Sequence, residues 1–247
     1  MLARYYGQGS MLRFLSVDSS SKSIDSFDPQ SWNRYSYVGN NPIKYLDPNG
    51  KFKIKGEYSH QNLTRAALPA SGGIVNRNDV VSGNISAEFH GGGPGRPNHL
   101  NTNGNASAGS SEDTRVKHGT AKLGEALDKV ASGDLGGAGK ALGDSLHSFQ
   151  DTVGHGNVTR DQHYSDANGG NVDSSGSPGI ETRAEGATAL SSKISEIFEA
   201  AAAAIQAGAD PSTVKAEAGA KAQQAAQDAY QATKTKLEQS GKKPKGY

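Results

Sequence analysis

Apolar side chains recur at helical spacing in two stretches of the chain. Leu142, Leu146, Phe149 and Val153 form one stripe, and Leu190, Ile194, Ile197, Phe198, Ala201 and Ile205 form another. They predict helices over about 138–153 and about 183–206. A further helix over about 115–130 precedes the first, with Gly-rich slack between them. Ser59 is placed to cap a short helix over His60 to Leu68, and Pro69 to end it. Asp210 before Pro211 is a cap followed by proline at the first helical position, which restarts a helix over roughly 211–238. That helix is nearly all Ala, Gln and Lys, so it is either weakly packed or a surface for a partner. The pattern near the start of the chain is different. Alternating runs over Met11 to Val17 and Arg34 to Val38 are separated by Asp28-Pro29, Asn40-Asn41-Pro42 and Asp47-Pro48-Asn49-Gly50, which is strand and turn chemistry. Lys51 to Lys55 alternates basic and apolar and reads as one more short strand.

These patterns predict a mainly α fold preceded by a short β-rich segment, in three zones. Residues 1–50 are the β-rich part, residues 51–208 the helical domain, and residues 209–247 an Ala-rich helix with a basic tail expected to be disordered. A length of 247 residues leaves room for one or two domains. Only 34% of residues are hydrophobic and 32 are Gly, so the core is lean and loops are plentiful. The net charge of +1 sets up no global field toward nucleic acid or an anionic membrane. No apolar leader follows Met1, and no run approaches the length of a transmembrane helix. A chain that opens in mid-pattern in this way reads as the tail of a larger one.

The candidate chemistry lies between residues 51 and 180, which hold all seven histidines. His147, Asp151 and His155 stand four apart, so on a helix they share one face. Two imidazoles and a carboxylate at that spacing suit a transition-metal ion, zinc first. The plainer reading is a polar helix face opposite the Leu142 to Val153 stripe. The chain has no Cys, so there are no thiolate ligands and any metal rests on His, Asp and Glu. His90 and His118 read as ordinary surface histidines.

Residues 1–50 resemble the end of the RHS (YD-repeat) core of bacterial polymorphic toxins. The matching segments are Ala3-Arg4-Tyr5-Tyr6, Arg13 to Asp18, Asn33 to Pro42 and Tyr45 to Gly50. The resemblance implies an upstream RHS shell, a variable C-terminal effector and a cognate immunity protein. It also implies a chain that is secreted, delivered to a target cell or held at the cell surface within the full-length protein. The family's self-cleavage motif corresponds to Pro42 through Gly50, with Lys51 in place of its Leu.

The following zone resembles the zinc-dependent phospholipase C fold shared with single-strand-specific zinc nucleases. Ser59-His60-Gln61-Asn62-Leu63-Thr64 is similar to the family's opening segment. Asn84 to Glu88 followed by Asn98-His99-Leu100 is similar to a carboxylate ligand followed by a His. Leu146 to Asn157 is similar to the His/Asp helix. The resemblance implies His60, Glu88, His99, His147, Asp151, His155 and, less directly, His163 as ligands of about two or three zinc ions. Glu88 stands where the family has Asp, which leaves Asp79 as its rival. The N-terminal Trp ligand of the secreted enzymes has no counterpart, since Trp32 lies in the RHS-like zone. His163-Tyr164-Ser165-Asp166 only partly replaces a later His/Glu pair.

Zinc clusters hydrolyse phosphodiesters by acidifying a water and neutralising phosphate charge. Asp151 is placed to bridge ions, and Glu88 to ligate a metal or act as general base. The implied function is a zinc-dependent phosphodiesterase effector acting on phospholipid. Residues 51–180 carry few aromatics to stack bases, so stable DNA binding is not expected. The alternatives are a zinc nuclease, or a non-catalytic RHS remnant or binding module. Retention of metal separates the catalytic readings from the last.

Overall fold

The computed structural model describes residues 33, 35, 59–69, 73–90, 103, 105–158, 178–242 and 247, with the side chains of 88–90 left out. The chain divides into two compact units, Met1–Ser59 and His60–Tyr247. In the first, the Tyr35 amide donates to Asn33 Oδ1 at 3.3 Å. The strands and turns expected over residues 1–55 otherwise lie outside the described residues.

The second unit contains α1 (His60–Ala67), α2 (Arg77–His90), α3 (Thr114–Ala131), α4 (Leu135–His155), α5 (Ile180–Gln206) and α6 (Pro211–Ser240). No strand occurs among the described residues, and the unit is mainly α as the apolar stripes predict. Side-chain caps start three of the helices. Asp113 accepts from the Arg115 amide, Asp134 from that of Gly137 and Asp210 from that of Thr213. Each satisfies a backbone donor left without a partner in the first turn. The cap expected of Ser59 is not made, since its buried hydroxyl has no hydrogen-bond partner. None of the described helices is long and apolar enough to cross a membrane.

α4 is the central element and packs against every other helix. The stripe residues Leu142, Leu146, Phe149 and Val153 are buried, but so are His147, Gln150, Asp151 and His155 on its other side. The plain polar face is therefore not what forms, because both sides of this helix are core. Full burial of each large apolar side chain stabilises by about 1.5–3 kcal/mol. Burial of the polar side chains costs free energy unless each finds a partner.

α2 is a helix that its sequence pattern does not announce. It reaches α4 through glycine: a Cβ on Gly143 would lie 2.0 Å from the Val80 carbonyl oxygen, and one on Gly83 2.0 Å from that of Lys140. The two backbones can touch only because those side chains are missing. This close crossing carries the buried Asn84 to the centre of the unit.

α6 buries Ala218, Gly219, Ala222, Ala226, Tyr230, Thr233 and Leu237, and it packs on α5 and α3. Small side chains thus hold it closely to the unit despite its weak apolar pattern. Tyr247 departs from the expectation of a disordered tail. Its ring is buried 5.4 Å from that of Tyr230, and burial raises its hydroxyl pKa far above the usual range.

Candidate metal centre

α1 and α4 bring His60 to Asp151 across 91 positions of sequence. His60 Nε2 lies 2.9 Å from Asp151 Oδ1, and His147 Nε2 lies 3.2 Å from Asp151 Oδ2. The two imidazole rings are 4.4 Å apart between centroids. One donor atom from each of His60, His147 and Asp151 falls within 4.8 Å of the others, and among the described residues this group can hold a metal ion. Ligands of one ion at about 2.0–2.2 Å stand no more than about 4 Å apart. The donors therefore fit an ion with only small movements. The donor types also fit, since neutral imidazole and carboxylate suit a divalent transition metal.

His155 reaches the same carboxylate, with Nε2 3.7 Å from Asp151 Oδ1. Asp151 Oδ1 therefore faces His60 and His155, while Oδ2 faces His147. Side-chain exposure is 0% at Asp151, 1% at His147 and 2% at His155, against 25% at His60. The group opens toward solvent on the His60 side.

The remaining expected ligands are placed less fully. Glu88 is on α2, but its side chain is outside the description, and His99 and His163 lie outside the described residues altogether. Asp79 packs against Gly139, where an added Cβ would lie 2.8 Å from its own Cβ. Gly139 is twelve residues before Asp151 on α4, roughly 18 Å along the helix axis. Asp79 is thus remote from the group. His118 is half-buried, with Nε2 3.2 Å from Asp144 Oδ1 on the outer side of α3 and α4. Burial pushes the Asp144 carboxyl up, but the hydrogen bond and charge of His118, with the charge of Lys122, hold it below its ordinary value.

Two buried supports were not legible from spacing. The first is a polar network around His60. His60 Nδ1 lies 2.8 Å from Gln150 Oε1, while Gln150 Nε2 donates to Thr64 Oγ1 and Ser191 Oγ, both at 2.9 Å. Asn84 Nδ2 donates to Thr64 Oγ1 at 3.0 Å and Gln150 Oε1 at 3.2 Å. Thr64, four residues after His60, carried the one signal in the sequence, a polar residue on the same helix face.

The second support grips the C-terminal end of α4. Arg115 is fully buried and forks onto Asp113 at 3.0 and 2.7 Å, and it donates to the carbonyls of Asp151 and Gly156, each at 2.8 Å. Arg183 donates to the Gly154 carbonyl at 2.6 Å. Asn157 accepts from the Ala108 amide at 2.6 Å and donates to the Tyr230 hydroxyl at 3.1 Å. The arginine bonds go to carbonyls in and just beyond the last turn, where a helix end leaves carbonyls such as that of Gly154 without amide partners. They hold the turn that carries Asp151 and His155.

No protein-family model matches this chain, and no curated protein or solved structure matches it either.

Proposed function

We propose that the His60–Tyr247 unit is a zinc-dependent phosphodiester hydrolase of the phospholipase C type. We place it as the C-terminal effector of an RHS-family toxin, with phospholipid as substrate and a cognate immunity protein as partner. The observation that carries the reading is the approach of His60 to His147 and Asp151 from a helix far away in sequence. Zinc, when bound, supplies an acidified water and neutralises phosphate charge. Asp151 presents its two oxygens to different imidazoles, so it is placed to bridge ions. His60, the partly exposed member, lies on the side from which a phosphodiester approaches. Glu88, one α2 turn beyond Asn84, is proposed as a further ligand or general base. The delivery context rests on the RHS resemblance of residues 1–50.

The test is hydrolysis by the full chain of phosphatidylcholine vesicles and of single-stranded DNA, with zinc and with chelator. Zinc-dependent release of a phosphorylated head group supports the reading. Cleavage of DNA alone would move it to the nuclease alternative. A chain that binds zinc but cleaves neither substrate would leave a binding module.

A further inference from the structure

We propose that Gln150 is a positioning residue that, when an ion is bound, holds His60 in the tautomer with a proton on Nδ1 and leaves Nε2 free to ligate it. The inference rests on the reading of His60, His147 and Asp151 as metal ligands. The Ser191 hydroxyl donates to the Ala187 carbonyl at 2.8 Å within α5. With its proton committed there, Ser191 Oγ accepts from Gln150, so the nitrogen of the Gln150 amide points toward α5. The other proton of that nitrogen goes to Thr64 Oγ1. Gln150 Oε1 is then the atom facing His60, at 2.8 Å, and an oxygen acceptor requires a proton on Nδ1.

The opposite arrangement is chemically coherent, and without an ion the 2.9 Å approach of Nε2 to Asp151 Oδ1 favours a proton there. If the Gln150 and Asn84 amides both turned over, Gln150 would donate to Nδ1, and Nε2 would carry the proton toward Asp151. That arrangement gives up the Ser191 to Ala187 bond, and it places a proton on the atom that must ligate the ion. Gln150, Thr64, Asn84 and Ser191 are all at least 95% buried, so the amide has little access to water as an alternative partner. A metal-ligating histidine generally donates its other ring nitrogen to an acceptor that fixes its orientation. Here that acceptor is a neutral amide adjacent in sequence to the Asp151 ligand. One turn of α4 therefore supplies both a ligand and the support of a ligand on another helix.

The experiment uses the full chain with nitrogen-15 histidine, with and without zinc. Zinc affinity is measured by competition with a chromophoric chelator. The expected spectrum of the zinc-loaded protein shows His60 protonated at Nδ1 only. Gln150→Leu should weaken zinc binding about 10–100-fold. Gln150→Glu keeps an oxygen opposite Nδ1 and should stay within about tenfold of wild type. Uptake of zinc with His60 protonated at Nε2 would overturn the role of Gln150 alone. So would wild-type affinity in a folded Gln150→Leu variant. If Gln150→Leu does not fold, the wild-type spectrum and Gln150→Glu decide. A wild-type chain that takes up no zinc would instead overturn the metal reading itself.

Discussion

Replacing Arg115 by Met keeps an unbranched stem, two atoms shorter, and removes the charge. Arg115 is fully buried, and so is its partner Asp113. The substitution strands a carboxylate away from water with only the amides of Gly109 and Arg115 to stabilise it. Breaking a buried ion pair on one side costs about 3–5 kcal/mol. The carbonyls of Asp151 and Gly156 lose their guanidinium donors as well, which pushes the cost to the upper part of that range. A domain is stable by only about 5–15 kcal/mol. At about 2–4 °C per kcal/mol for a unit of this size, the expected fall in Tm is roughly 8–20 °C. Urea and thermal unfolding followed by circular dichroism measure it, with an unchanged urea slope showing that the transition is comparable. The double variant Asp113→Leu, Arg115→Met removes both charges and should be more stable than Arg115→Met alone. Because Arg115 holds the last turn of α4, zinc affinity should fall with stability in the single variant. An Arg115→Met protein within about 1 kcal/mol of wild type, well below that range, would refute the claim that this buried pair holds the end of the helix.

Other perturbations read other parts of the structure. Gly143→Ala drives a Cβ against the Val80 carbonyl and the Asn84 amide nitrogen, at 2.0 and 2.5 Å, and should destabilise by about 1–3 kcal/mol in a thermal melt. Gly124→Ala meets nothing within 4 Å and should stabilise by about 0.5–1 kcal/mol in the same assay. Asp144 is held below its ordinary pKa, so it contributes stability above the ordinary aspartate range that is lost as pH falls through its folded value. Asp144→Asn should therefore flatten the acid limb of a Tm-against-pH profile, and an unchanged limb would refute that assignment. Asn157→Ala loses both its bonds, to the Ala108 amide and the Tyr230 hydroxyl, and should cost about 1–3 kcal/mol in urea unfolding.

The helices whose buried face is legible in the sequence are those with an apolar stripe. Leu142 to Val153 and Leu190 to Ile205 repeat at helical spacing, and both segments fold as expected. α2 lacks such a stripe because it packs through Gly83 and against Gly143, and the absence of a side chain leaves no periodic signal. α6 is announced by Asp210-Pro211, but its packing is not, since Ala218, Ala222 and Ala226 bury small side chains that hydropathy barely registers. Within the candidate site, the i, i+4 spacing of His147, Asp151 and His155 is local and therefore legible. The approach of His60 is a tertiary event, and the sequence suggested it only through a family resemblance. Gln150 meets its partners Thr64 and Ser191 at sequence separations of 86 and 41. No spacing rule reaches that far, and so the network around His60 emerges only in three dimensions.

The central claim is that His60, His147 and Asp151 hold a metal ion. Elemental analysis of the purified full chain, after incubation with zinc and removal of excess, tests it directly. The account predicts at least about one zinc per wild-type chain and its loss in His147→Ala and Asp151→Ala, with His118→Ala unchanged. Wild-type protein free of zinc, or equal zinc in all four proteins, would contradict it.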